Sequence, residues 1–143
     1  MLTKTITYED FDGETRTETF YFNLSKAELA ERQITHPGGY AEYLDRIIGS
    51  RDQTEIFKAF KDLILSSYGE KSEDGKRFIK SKELSEAFEQ TGAYDALFME
   101  LFGDGGAAAA FVRGIMPFKD LPETTQDELM DKTRKLIEEK KNA

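Results

Sequence analysis

IFKAFKDLILSSYGEKSEDGKRFIKSKELSEAFEQTGAYDALFMELF, residues 56–102, is the stretch that decides the fold. Ile56, Phe57, Phe60, Leu63 and Ile64 stand at i, i+1, i+4, i+7 and i+8. That spacing draws one apolar stripe on an α-helix. Tyr68-Gly69 is expected to end it, because glycine accepts the left-handed conformation that a helix C-terminus often needs. The polar run Glu70 to Arg77 follows, with Asp74-Gly75 as its turn. Phe78 and Ile79 return to apolar surroundings, and Ser81 is placed to cap a helix carrying Leu84, Ala87 and Phe88. After Thr91-Gly92, the residues Tyr94, Leu97, Phe98, Leu101 and Phe102 repeat the helical spacing. Neighbouring helices thus converge on a shared core.

Toward the N-terminus the period changes from helical to alternating. Leu2–Tyr8 and Thr15–Phe22 are rich in Thr, Ile, Tyr and Phe, residues that suit a pleated surface. Asp12-Gly13 between them predicts a hairpin with a two-residue type I′ turn, whose central positions need positive φ. Leu2, Ile6 and Tyr8 share one face if the register holds through Lys4, and Phe20 shares a face with Phe22. Thr3, Thr5, Thr7, Thr15, Thr17 and Thr19 then face solvent or a partner. A lone hairpin is marginal, so it must pack on the helices.

The exit from the hairpin is marked by Ser25-Lys26-Ala27-Glu28, a capping box, with Leu24 and Leu29 placed as a hydrophobic staple. This predicts a helix over about residues 26–34, broken by Thr35-His36-Pro37-Gly38-Gly39. Tyr40, Tyr43, Leu44, Ile47 and Ile48 predict a second helix, ended by Gly49-Ser50, and Asp52 with Glu55 caps the Ile56 helix. Beyond Phe102, Gly103-Asp104-Gly105-Gly106 opens a short alanine helix over 107–112, anchored by Phe111, Val112 and Ile115 and closed by Pro117.

From Phe118 the character shifts. Thr124 or Thr125 is placed to cap a last helix with Leu129, Met130, Leu136 and Ile137 on one face. Acids lead and bases follow along it, which suits the helix dipole. The stripe is narrow, so it is expected to dock, on the chain's own body or on another polypeptide. If it serves another polypeptide, Leu129, Met130, Leu136 and Ile137 are the contact residues. The domain reading is therefore residues 1–117 as hairpin plus helical domain and 118–143 as an amphipathic tail.

The 143 residues fit one domain of ordinary size, 38% hydrophobic and 34% charged. A net charge of −8 opposes nucleic-acid binding, which depends on Lys and Arg neutralising phosphates. Cysteine is absent, which removes disulfides, thiolate nucleophiles and Cys-based zinc sites. The N-terminus lacks the pattern of a signal peptide, and no apolar run approaches the roughly 20 residues of a membrane helix. The expectation is a soluble intracellular protein with no membrane or nucleic-acid partner.

Catalytic and metal chemistries are tested residue by residue. With Gly75 as position six of a calcium loop, Glu70, Ser72 and Asp74 fill positions one, three and five. Position twelve is then Ser81, where a bidentate Glu is required, so a solvated turn is the better reading. Asp10-Phe11-Asp12-Gly13 fails the same test at both ends. Gly103 to Gly106 lacks the Lys-Ser/Thr of a phosphate loop and reads as a loop with an Asp cap. His36, the only histidine, reads as exposed punctuation in a turn rather than a general base. The expectation is no enzyme, no cofactor and no metal.

The strings YFNLSKAEL (21–29), YGEKSEDGKRFIKS (68–81) and AFEQTGAYDALFMELFGDGGAAAAFVRGIMP (87–117) resemble the tail assembly chaperones of long-tailed bacteriophages and related prophages. The similarity spans roughly residues 2–117, and residues 118–143 match it less well. The resemblance implies a non-catalytic protein that binds the tape measure protein, keeps it soluble and helps tail tube subunits assemble around it. It further implies homo-oligomers, the bacterial host cytoplasm as the place of action, and absence from the mature virion. Many such families also make a longer form by programmed frameshifting. Two other readings are weighed beside it. One is a structural tail-completion or head–tail connector protein retained in the virion, its hairpin pairing with a neighbour's strand. The other is a bacterial regulatory adaptor. The fold expected is α+β: an N-terminal β-hairpin packed on a mostly α-helical bundle of about five helices, plus an amphipathic C-terminal helix.

Overall fold

The computed structural model describes residues 1–40, 42, 43, 46, 50, 52–117, 131 and 134. The fold is α+β, with an N-terminal antiparallel hairpin packed on helices. Strands β1 (Leu2–Glu9) and β2 (Thr15–Phe22) form that hairpin, with Leu2 opposite Phe22 and Glu9 opposite Thr15. The alternation read from the sequence holds through Lys4. Leu2, Ile6 and Tyr8 face inward, and the threonines face out. Across the outer face Thr5 and Thr19 join hydroxyls at 3.1 Å, and Thr7 and Thr17 at 2.9 Å.

The turn differs from the two-residue form expected. The Gly13 amide donates to the Asp10 carbonyl at 3.1 Å, and the Asp10 amide donates to the Glu14 carbonyl at 2.8 Å. The loop is therefore Phe11-Asp12-Gly13, with Gly13 alone completing it at φ 82°. This is the three-residue class, in which a left-handed glycine follows the turn and bulges the strand. Asp10 organises it, since its Oδ1 accepts the amides of Asp12 and Glu14 at 2.9 Å each while Oδ2 pairs with Arg16.

Helix α1 (Lys26–Thr35) begins with the capping box as expected. The Glu28 amide donates to Ser25 Oγ at 3.1 Å, and the Ser25 amide donates to Glu28 Oε1 at 2.9 Å. Leu24 and Leu29 are buried as the staple requires. Gly38 and Gly39 carry positive φ in the break. Of the second helix expected there, Tyr40, Glu42, Tyr43, Arg46 and Ser50 are helical, while Leu44, Ile47, Ile48 and Gly49 lie outside the described residues.

Helix α2 (Gln53–Ser67) starts on Asp52, whose Oδ1 accepts the Thr54 amide at 3.0 Å and the Glu55 amide at 3.4 Å. Ile56, Phe60, Leu63 and Ile64 are buried along the stripe the sequence draws, with Phe57 half-buried at its margin. Its end departs from expectation. Gly69 is not left-handed; the chain passes through Tyr68 straight into strand β3 (Tyr68–Lys71). β3 pairs with β4 (Phe78–Ile79) around the Asp74-Gly75 turn. The polar run is thus the tip of a second hairpin rather than an interhelical loop. All four strands form one antiparallel sheet in the order β1-β2-β3-β4.

Three further helices complete the layer: α3 (Lys82–Glu89), α4 (Gly92–Gly103) and α5 (Gly105–Ile115). Each begins on the side chain its sequence offers, Ser81, Thr91 and Asp104 respectively, which accepts an orphan amide of the first turn. The alanine helix runs longer than the 107–112 expected and buries Ala108, Phe111, Val112 and Ile115. On α3, Phe88 is buried, Leu84 is half-buried and Ala87 is exposed.

The core lies between the sheet's inner face and these helices. Phe22 stands edge-on to Phe88 and Phe111 at 5.7 and 5.3 Å, and Tyr68 stacks on Phe88 at 4.3 Å. Such ring pairs add directional attraction to the area they bury. The Ile115 carbonyl accepts the Leu24 amide at 2.8 Å, which fastens the end of α5 to the hairpin exit.

Candidate interaction surface

The β2–β3 pairing is short, and its shortness creates a site. β2 has eight residues, yet β3 meets only Tyr21, opposite Gly69, and Phe22, opposite Tyr68. Amides alternate in direction along an antiparallel strand. The Asn23 amide donates to the Ser67 carbonyl at 2.7 Å, so odd-numbered residues of this strand turn their amides toward β3. The Asp10 amide bond to Glu14 fixes the same phase from the other end of the hairpin. Thr15, Thr17 and Thr19 therefore aim their amides into the space that β3 leaves. Among the described residues no strand pairs with them there.

Beside Thr19 that space is a cleft of about 640 Å³, and along Thr17 and Thr15 the open edge runs on beyond its lining. Its inner wall carries Glu18, Phe20, Tyr68 and Glu70, and its outer wall Tyr21 and Lys71. Lys71 Nζ sits 4.5 Å from the centre of the Tyr21 ring. Glu73 closes the end near the turn. Burial, and after it the charges of Glu70 and Glu18, push the Tyr68 phenol above its ordinary pKa. The cleft is negative and lined with rings. Gly69 sits at its apex because nothing larger fits: a Cβ there would lie 2.7 Å from the Ile79 carbonyl oxygen and 2.7 Å from the Phe78 ring.

A second surface lies on α2 and α4. Phe57, Phe98 and Phe102 form a triangular cluster, with 4.8 Å between Phe57 and Phe102, 4.5 Å between Phe98 and Phe102 and 6.0 Å between Phe57 and Phe98. Buried Phe60 meets Phe102 edge-on at 4.6 Å beneath them. The inner face of α4 is used up by Ala93, Tyr94, Leu97 and Leu101, whereas Met99 is 68% exposed beside the half-buried rings. Phe98 and Phe102 pack against the margin of the core, so Met99 is the apolar side chain that α4 leaves exposed.

The contact stripe read from the sequence, Leu129, Met130, Leu136 and Ile137, lies outside the described residues. His36 is not the exposed punctuation expected. It is half-buried, its Nδ1 2.7 Å from the Arg32 carbonyl and its ring 4.2 Å from that of Tyr43. Nearby, Arg32 reaches Asp62 at 2.7 Å, Ser66 at 2.6 Å and the Tyr40 hydroxyl at 3.3 Å, which ties α1 to α2. At the Asp74-Gly75 turn, Ser72 Oγ donates to Asp74 Oδ1 at 2.7 Å, and Asp74 Oδ1 also accepts the Lys76 amide at 3.0 Å. Those oxygens hold a hairpin turn together. Asp104 is a helix cap, as expected.

Burial pushes Tyr40 up and takes Tyr94 to about 12, so both phenols stay protonated. Hydrogen bonds pull Asp10 and Asp74 down, the first through Arg16 and the second through Ser72. This is the electrostatics of turns and contacts rather than of a proton-transfer pair. Sequence reasoning missed the cleft because it missed β3 and β4. A signal existed: Asp-Gly flanked by Tyr68 on one side and by Phe78-Ile79 on the other fits a hairpin as well as a loop.

A family model described as phage tail assembly chaperone matches residues 1–143. No curated protein and no solved structure matches the chain.

Proposed function

The chain belongs to the phage tail assembly chaperones, and from that membership we propose that it binds the tape measure protein, keeps it soluble and promotes assembly of the tail tube around it, without catalysis. The observation that carries this reading is the extent of the family match, which takes in hairpin, helices and C-terminal segment alike. Two physical features support it. The exposed Met99, with the half-buried Phe98 and Phe102 on the same helix, suits a protein that covers another's apolar stripe. A net charge of −8 keeps such a complex dispersed.

In this reading residues 1–117 form the body and 118–143 an amphipathic arm. The arm contacts the tape measure protein through Leu129, Met130, Leu136 and Ile137. Several copies associate along one partner, and the tail tube protein is recruited to the complex. The work is done in the cytoplasm of the bacterial host, and the chain does not stay in the finished virion. Among the described residues no helix is long and apolar enough to cross a membrane. A connector protein retained in the particle is the competing role, and the family match favours the chaperone.

Co-expression tests the proposal. Tape measure protein is expected in the soluble fraction with this chain and in the pellet without it, and mature particles are expected to lack the chain. Tape measure protein that stays insoluble in its presence, or particles that contain the chain, would overturn the reading.

A further inference from the structure

We propose that the cleft between β2 and the β3–β4 hairpin receives an extended, basic polypeptide segment, added as a strand on β2 through the amides and carbonyls of Thr15, Thr17 and Thr19. The contact stands apart from the tape measure reading, which bears only on which protein supplies the segment.

The backbone sets the form of the occupant. An open strand edge offers donors and acceptors at alternate residues, and only an extended chain meets them in step. The chain treats its other edge differently. At the end of β1, Gly92 at the start of α4 packs so closely on the Glu9 carbonyl oxygen that a Cβ would come within 2.7 Å of it. A covering helix is one way in which proteins close an edge. The edge of β2 has no such cover among the described residues, and β3 departs from it after two residue pairs.

The side chains set the chemistry. Residues of an added strand alternate between the inner and outer walls. On the inner wall Phe20 and Tyr68 offer ring surface and Glu70 a carboxylate beside it, while the Glu18 carboxylate, which adds negative charge, accepts the Tyr8 hydroxyl from β1. A Lys or Arg lays its methylene stem on such rings and carries its charge to the acids. The outer wall presents the threonine hydroxyls and Tyr21, whose ring already holds Lys71. Glu70 and Glu73 pair with no cation among the described residues, so the incoming strand supplies the charge. The occupant is thus basic at every second position, with small or β-branched residues between.

The experiment uses the full chain, labelled with nitrogen-15, and three probes. They are a capped heptapeptide alternating lysine with threonine, its twin with glutamate for lysine, and a lysine-rich helical peptide. The lysine–threonine peptide is expected to slow exchange of the Thr15, Thr17 and Thr19 amides, while the other two leave them unchanged. Thr17→Pro removes an amide that faces the open edge of β2 and not β1, and is expected to weaken binding by roughly tenfold or more. Glu70→Lys, at an exposed position that leaves folding intact, is expected to weaken it to a similar degree. Binding indifferent to both changes, equal binding of the helical peptide, or no binding at millimolar peptide overturns the proposal. So does protection of these amides in the free chain that fades on dilution, since a second copy would then hold the edge.

Discussion

Lys80 Nζ lies 2.7 Å from Glu28 Oε2, and so joins the end of the β3–β4 hairpin to the first turn of α1. The same glutamate closes the capping box by accepting the Ser25 amide. Burial opposes its ionisation, but the Lys80 ammonium and the Ser25 amide outweigh burial and hold its carboxyl below the ordinary glutamate value of 4.5. A group with a depressed folded pKa stabilises the fold above its unfolded pKa and loses that contribution as pH falls through the folded value. Glu28→Gln is expected to cost about 0.5–1 kcal/mol at neutral pH, the scale of a partly exposed ion pair. The gap between mutant and wild type should close as pH drops below the glutamate range. Urea melts from pH 7 to pH 3 check this, and a gap that persists at the acid end counts against the pairing.

Gly69 is held to its identity by contact rather than by φ. A Cβ there would meet the backbone of Ile79, which cannot swing aside as a side chain would. Gly69→Ala is expected to destabilise by about 1–3 kcal/mol, as overpacking does. Gly103 is the control, because a Cβ there meets nothing within 4 Å. Gly103→Ala should be neutral or stabilise by up to about 1 kcal/mol through lower chain entropy. Thermal melts of the two variants separate crowding from the general effect of replacing glycine.

The parts of this fold legible in the sequence are those fixed by neighbours in the chain. Ser25 with Glu28 places the start of α1, and period-two alternation from Leu2 to Tyr8 places β1, because both depend on residues within a few positions. The stripe from Ile56 to Ile64 is legible for the same reason. β4 has two residues and so no period to detect; its place follows from Phe78 packing on Gly69 across the sheet. His36 was hidden likewise, since its half-buried state comes from Tyr40 and Tyr43 folding back on its ring. The cleft depends on where β3 parts from β2, a geometry that no local pattern encodes.

The Asp74 turn makes a sharp calcium test. Ser72 Oγ and Asp74 Oδ1 already bond each other and the amides of Arg77 and Lys76. Ser81, where a calcium loop needs its bidentate carboxylate, instead caps α3. Calorimetric titration with calcium is expected to show no micromolar site. Asp74→Ala should instead loosen the hairpin tip, read as faster amide exchange at Lys76. A micromolar calcium site abolished by Asp74→Ala would reverse the assignment.

The proposed arm, residues 118–143, can be tested at Leu136. The sequence places Leu129, Met130, Leu136 and Ile137 at a spacing expected to give a stripe too narrow to stabilise a helix without a partner. Two partners compete, the chain's own body and the tape measure protein. If the stripe packs at home, Leu136→Asp buries an unpaired charge and lowers folding stability by about 1 kcal/mol or more. If it serves the tape measure protein, the isolated mutant melts as the wild type does, and less tape measure protein stays soluble on co-expression. The second outcome is expected, because helix-in-groove recognition uses anchors at this spacing. A lowered melting temperature with tape measure solubility retained would place the stripe in the chain's own core and move the contact elsewhere on the body.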